Sequence, residues 1–293
     1  AEEVSIFGVS CIGSRGMAGL IPEGWLDRSD GELTLRQGIV DAGGDPSDIS
    51  RPKRSDISAF LELHIEQGPV LEDERCDIGI VTAIAGITRI EIFVEGQADH
   101  AGTTPMGARR DALVAAAALV TDVERVARLM SQGEGHFTAT VGEFAIEPNA
   151  ANVVPSRARL LIDARAERRE DMEHFIAEVD RMAVELQRDR GVAISSPTIV
   201  SDNMPTPADP KVMAALEASA ENAGARFRRM ASGAGHDTAW MARISRSAMI
   251  FVPCREGRSH TPDEWAETDD ITLGAAVLFG AVCRLDTELQ EQE

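Results

Sequence analysis

Leu61-Glu62-Leu63-His64-Ile65-Glu66-Gln67-Gly68 is the stretch from which the fold can be worked out. Leu61, Leu63 and Ile65 alternate with Glu62, His64 and Glu66, the period of a half-buried β-strand, so the three polar side chains share one face. Gly68-Pro69 ends the strand and leaves His64 near its C-terminal end, where open α/β sheets present their ligands. On these eight residues alone, a surface-facing strand with an ordinary histidine is the simpler reading.

Moving outward, Phe7 to Gly16 reads as a glycine-punctuated strand-to-loop passage, Ile21 to Ser55 as a polar loop-and-helix excursion, and Ile78 to Ala85 as a second β-rich run. The texture changes from Thr88. Ile90, Ile92 and Val94 alternate as a strand, Gly96 to Gly107 is a glycine- and threonine-rich loop containing His100, and apolar residues at helical spacing mark a helix from Arg109 to Met130. Phe137 to Ile146 and Ala158 to Arg165 read as strands, the stretch around Met172 to Leu186 as a helix ended by Gly191, and Val192 to Val200 as a fourth strand. Strand, helix, strand, strand, helix, strand is the split-βαβ, ferredoxin-like plan, with both helices on one face of the sheet and Arg165 projecting from the other.

The proline-rich stretch Asn203 to Pro210 reads as a linker back to a different domain. A helix from Pro210 to Ala223, a glycine loop Met230 to Asp237 leading into a short helix, a buried parallel strand Ala248 to Pro253 and an apolar helix Ile271 to Leu285 complete the chain. The expected organisation is an α/β catalytic domain in two segments, residues 1–86 and 206–293, interrupted by an α+β domain at 87–205.

Composition narrows the function. The 293 residues, 43% hydrophobic, suffice for two folded domains, and no apolar run is long enough to span a bilayer. The N-terminus lacks the plan of a signal peptide, so a cytoplasmic protein is expected. A formal charge of −20 disfavours nucleic acid and anionic membranes as partners. Cys11, Cys76, Cys254 and Cys283 are scattered without a Cys-x-x-Cys pair, which predicts four reduced core thiols and argues against a disulfide framework or a thiolate zinc knuckle. Of six histidines, His64, His100, His236 and His260 lie in glycine-rich or strand-end loops. Glu3, His64 and His260 are ligand types that suit zinc, and an α/β sheet could bring their loops together. No His-Glu-x-x-His helix, phosphate loop or Gly-x-Ser-x-Gly elbow supports a rival mechanism.

Glu2-Glu3, Leu61 to Glu72, Gly96 to Asp111, Ser232 to Asp237 and Phe251 to Trp265 resemble, in order, the successive motifs of the hydantoinase/carbamoylase amidases. That family includes N-carbamoyl-L-amino acid hydrolases, β-ureidopropionases and allantoate amidohydrolases, relatives of the dinuclear-zinc aminoacylases. The resemblance implies a zinc-peptidase-like catalytic domain with an inserted ferredoxin-like lid and dimerisation domain. It implies two divalent ions (Zn, Mn, Co or Ni), with Glu3 and His260 binding one and His64 the other, and Glu2 as general base. It further implies that His100 reaches a partner subunit's site to stabilise an oxyanion, and that Arg165 clamps the substrate carboxylate. Gln67, Asn152, Gly235 and His236 match further substrate contacts. The expected activity is hydrolysis of the carbamoyl C–N bond of an N-carbamoyl-L-amino acid or related ureido acid, by a homodimer. The family's remaining ligands, a histidine and a bridging aspartate, precede its paired glutamates. Since this chain opens at Ala1-Glu2-Glu3, a fragment with poor activity is expected, the alternatives being an allantoate amidohydrolase or a binding protein without turnover.

Overall fold

The structure, a computed structural model, describes residues 3–50 and 53–290. It divides into two compact units, one made of Ala1–Ile84 with Thr206–Glu293 and the other of Ala85–Pro205. In chain order the first segment carries α1 (Ile12–Met17), β1 (Ser29–Asp30), β2 (Leu33–Thr34), α2 (Leu35–Asp41), β3 (Ala59–Ile65), α3 (Val70–Glu74) and β4 (Ile78–Ile84). The second unit carries β5 (Gly86–Glu95), β6 (Asp99–His100), α4 (Ala112–Met130), β7 (Phe137–Glu147), β8 (Val153–Val154), β9 (Arg157–Ala166), α5 (Arg169–Arg190), β10 (Ala193–Ile194) and β11 (Thr198–Asn203). The last segment carries β12 (Thr206–Pro207), α6 (Pro210–Asn222), β13 (Phe227–Ser232), α7 (Thr238–Met241), β14 (Arg246–Val252) and α8 (Thr268–Gln290).

In the first unit β3 runs parallel to β14, with His64 opposite Phe251 and Ile65 opposite Val252. β14 is antiparallel to β4, and β4 is flanked by parallel β13 and antiparallel β12, so the sheet is mixed. Alternation along the strands sorts the core. Ile78, Ile80, Ile250 and Val252 are buried with Leu216 of α6 and Val277 of α8, and Leu61, Leu63 and Ile65 pack against that cluster. Met249 and Phe251 point the other way and join Leu71 of α3. His64 lies on this second face, its ring edge-on to Phe251.

In the second unit the strand order is β10-β5-β9-β7, with β11 also paired to β5, and every pairing is antiparallel. Together with α4 after β5 and α5 after β9, this is the split-βαβ arrangement. Ile90, Ile92, Val94, Leu160 and Ile162 are buried with Leu119 of α4 and Phe175 of α5. Arg159, Leu161, Asp163 and Arg165 alternate with the buried residues of β9 and occupy the opposite face. Asp111 caps α4 by accepting from Val114 N–H, and Gly191, at φ 63, ends α5 in the left-handed conformation that glycine supplies at least cost.

The structure differs from the sequence-based expectation at four places. Residues 7–16 form no strand; Cys11 at φ 54 turns the chain into α1, and the Ser14 hydroxyl donates back to Cys11 O at 3.1 Å. The strand expected over 192–200 is two, β10 and β11, because the Ser195 hydroxyl accepts Phe93 N–H at 3.0 Å in place of a backbone carbonyl and Pro197 has no N–H for a ladder. The stretch 203–210 is not a bare linker, since Thr206 and Pro207 pair with Ile84 and Ala83. β13 lies where no strand was expected, its Arg228 and Arg229 hiding the alternation of a strand that is only half-buried. The four cysteines are free thiols, but only Cys11 and Cys254 are core residues; Cys76 is half-buried and Cys283 exposed. Among the described residues no helix is long and apolar enough to cross a membrane.

Candidate active site

Because β3 and β14 are parallel, the loops leaving them, 66–69 and 253–262, emerge at the same end of the sheet. Glu66 N–H donates to Val252 O at 3.0 Å, and the buried Glu66 carboxylate accepts Val70 N–H and Leu71 N–H at 2.9 and 2.8 Å, capping α3. Burial pushes the Glu66 carboxyl above the usual range, while the backbone donors oppose the shift. From the other side the Glu72 carboxylate accepts Glu256 N–H at 2.6 Å. Gly257 (φ +64) abuts Gly68 and Pro69 so closely that a Cβ would lie 2.5 Å from Pro69 N, which leaves glycine as the residue that fits.

Three non-glycine residues in these two loops, Gln67 (φ 58), Glu256 (φ 55) and His260 (φ 56), adopt the left-handed conformation. Side chains with a Cβ enter it at a cost, and such residues gather at functional sites. Gln67 Nε2 donates to Ser259 Oγ at 2.8 Å, Ser259 Oγ donates to Glu264 Oε2 at 2.7 Å, and His260 N–H donates to the same oxygen at 2.9 Å. These two donors hold the Glu264 carboxyl below its ordinary range. His260 Nε2 lies 3.2 Å from Glu3 Oε1, both side chains being 68% exposed, so the ends of a 257-residue separation meet at one exposed pair.

His64 Nδ1 lies 2.8 Å from Ile65 O. A carbonyl can only accept, so Nδ1 carries the proton and the lone pair of the neutral ring is on Nε2, the pattern of a metal-ligating imidazole. Its ring is edge-on to His236, centroids 4.7 Å apart. His236 is 1% exposed, with Nε2 2.8 Å from Ser232 Oγ and Nδ1 4.0 Å from Glu62 Oε1. Glu62 also accepts Thr238 N–H at 2.8 Å and the Thr238 hydroxyl. The polar face of β3 is therefore turned toward α7 and the glycine loop, in which Gly235 is exposed.

Of the residues expected to bind metal, Glu3 and His260 are in contact. His64 is not gathered with them: among the described residues no group of three or more His, Cys, Asp or Glu is arranged to hold a metal. Glu2, expected as general base, lies outside the described residues. The donor chemistry of Glu3, His260 and the Nε2 of His64 suits a borderline divalent ion.

In the second unit His100 pairs with Val153 across the β6–β8 ribbon, and Ala101 N–H donates to Asn152 O at 3.0 Å, which brings His100 and Asn152 side by side. Gly102 N–H donates to His100 Nδ1 at 3.0 Å, so the neutral ring carries its proton on Nε2 and presents a donor, the opposite tautomer to His64. Arg109 fixes this loop by donating to Ala101 O and Thr104 O at 2.6 and 3.0 Å. Arg165 lies on the helix-free face of β9, its Nε donating to Asp163 Oδ1 at 2.9 Å. Glu264, Ser259, Glu72 and Arg109 lie within the quoted motif stretches, but the sequence reading gave them no role. Each acts on backbone or on another side chain, and neither composition nor spacing marks such a role.

The first unit is thus a mixed α/β fold with His64 at the end of β3 and with His260, in the loop after β14, against Glu3. The chain belongs to the peptidase family M20/M25/M40, whose model matches residues 1–284. It is 37% identical over 290 residues to an N-carbamoyl-L-amino-acid amidohydrolase of Paenarthrobacter aurescens (97% of this chain, 69% of the relative). It is 38% identical over 298 residues to a ureidoglycolate hydrolase of Oryza sativa subsp. japonica (98% of this chain, 60% of the relative). Among solved structures, an amidase of the hydantoinase/carbamoylase family from Burkholderia multivorans superposes with a TM-score of 0.84 at 34% identity, over 96% of this chain and 67% of that one. The chain thus spans 60% to 69% of the length of these two relatives.

Proposed function

We propose that the chain serves a metal-dependent amidohydrolase that cleaves the carbamoyl C–N bond of N-carbamoyl amino acids or related ureido acids. The observation that carries this is the contact with Glu3 of His260, in the loop that follows β14, the strand paired in parallel with the one that bears His64. Its relatives' names, which join carbamoyl and ureido substrates, support the same class. Glu3 and His260 would hold one divalent ion and His64, through Nε2, a second. An ion there supplies Lewis acidity for amide hydrolysis.

The chain's own residues would do the rest. Glu2 takes the proton of the attacking water. His100, whose Nδ1 is occupied by Gly102 N–H, presents Nε2–H to a developing oxyanion. Arg165 meets the substrate carboxylate with a planar fork of donors, which requires it to exchange or share Asp163. Gln67 and Asn152 supply polar contacts to the ureido group, while Gly235 and the buried His236 shape the glycine loop beneath it. The 85–205 unit would act as lid and dimerisation element and bring His100 to a second copy's site. β7 supports this, having β9 as its one neighbour in the sheet among the described residues.

The test is a zinc, manganese and cobalt titration of the chain by calorimetry, paired with an assay of ammonia release from N-carbamoyl-L-amino acids, ureidoglycolate and allantoate. Binding of divalent metal that is weakened by His260→Ala or Glu3→Gln is expected. A chain that binds no divalent metal refutes the proposal.

A further inference from the structure

We infer that Glu264 and Ser259 are positioning residues that couple the metal ligand His260 to the substrate contact Gln67. This rests on the function proposed above, in which His260 holds a divalent ion and Gln67 meets the substrate. A single oxygen, Glu264 Oε2, receives both His260 N–H and the Ser259 hydroxyl. His260 is left-handed at φ 56, a backbone state uncommon outside glycine, and Glu264 supplies the partner for its N–H. That backbone state aims the imidazole at Glu3, 3.2 Å away.

Proton direction then fixes the other arm. A carboxylate oxygen only accepts, so the one proton of Ser259 is committed to Glu264. Ser259 therefore meets Gln67 with a lone pair, and Gln67 must present Nε2 to it at 2.8 Å. The amide is not free to turn over, and its Oε1 is left as an acceptor on the other side. An acceptor there selects a substrate that offers an N–H, as the ureido group does and an ester does not. Glu264 thus orients two groups from outside the reacting set: His260 through its backbone and Gln67 through Ser259.

The experiment is calorimetric titration of the 293-residue chain with Co²⁺, then with a non-cleaved N-carbamoyl amino acid analogue, alongside thermal melts. Glu264→Ala should weaken Co²⁺ binding about 10–100-fold, the usual effect of removing a group that orients a ligand. Glu264→Gln, whose amide oxygen accepts the same two bonds, should recover most of that loss. Ser259→Ala should leave Co²⁺ affinity unchanged and weaken analogue binding about tenfold, the scale of one hydrogen bond to an oriented group. No Co²⁺ binding by the unsubstituted chain overturns the functional proposal itself. Binding that Glu264→Ala leaves intact overturns the positioning role alone, as does an equal loss in the Ala and Gln variants. Melts that match across the set exclude unfolding as the cause, and the Gln variant still decides if the Ala variant does not fold.

Discussion

One hydrogen bond is enough to assign a histidine's chemistry, and the chain contains the pair that shows it. Ile65 O beside His64 Nδ1 leaves Nε2 as an electron-pair donor, whereas Gly102 N–H on His100 Nδ1 leaves Nε2 as a proton donor. His136 illustrates a third state. Its Nε2 is buried without a hydrogen-bond partner, and burial lowers its pKa from the ordinary value. A group with its pKa depressed on folding contributes stability above the unfolded value, about 6.5, and that contribution is lost as pH falls from there through the lowered folded value. Urea denaturation followed at about pH 7.5 and about pH 5.5 should therefore show a lower midpoint in acid, and His136→Gln should reduce the difference. An unchanged pH dependence in the variant would place the acid sensitivity elsewhere. At this scale the sequence exposed the histidines, because four of them stand in loops, but not their tautomers, which depend on backbone atoms brought in by folding.

Two glycines set how closely elements approach. Gly274 of α8 faces β3 and β14 so tightly that a Cβ would lie 2.7 Å from Leu63 Cδ1 and 2.7 Å from Val252 Cγ1. Gly274→Ala should destabilise the chain by about 1–3 kcal/mol, the range for overpacking a core, with the loss read from urea midpoints. Gly257→Ala acts differently, because φ +64 and the contact with Gly68 and Pro69 both oppose a side chain. Its expected effect is a loss of Co²⁺ affinity through displacement of the loop that carries His260, and affinity equal to the unsubstituted chain would disprove that link. Long amphipathic elements such as α4, α5, β5 and β9 were legible because their buried faces repeat at a fixed period. The break between β10 and β11 was not, since it depends on one serine hydroxyl reaching Phe93 N–H. Nor was β13, where arginines paired with Glu74 and Glu217 occupy positions that an alternation count scores as loop.

The chain as a whole carries a formal charge of −20. Like charge opposes compactness, so raising salt from about 0.05 M to about 0.5 M should raise the melting temperature as the repulsion is screened. A fall would mean that the local arginine–carboxylate pairs outweigh the net field. Light scattering at micromolar concentration should find a dimer if the 85–205 unit serves the role proposed for it; a strictly monomeric chain would remove His100 from the mechanism. The architecture also bears on the order of folding. β3 and β14 come from the two separate sequence segments of the first unit, and between them lies the whole 85–205 unit. The two ends of that unit are themselves paired, Ile87 with Asn203, and just beyond them Ile84 pairs with Thr206. Once the inserted unit has closed on itself, the search that must unite β3 with β14 is made by a chain shortened by more than a hundred residues, worth about 1 kcal/mol of loop entropy. The interruption, which lengthens the gene between two halves of one sheet, adds little to the time those halves need to find each other.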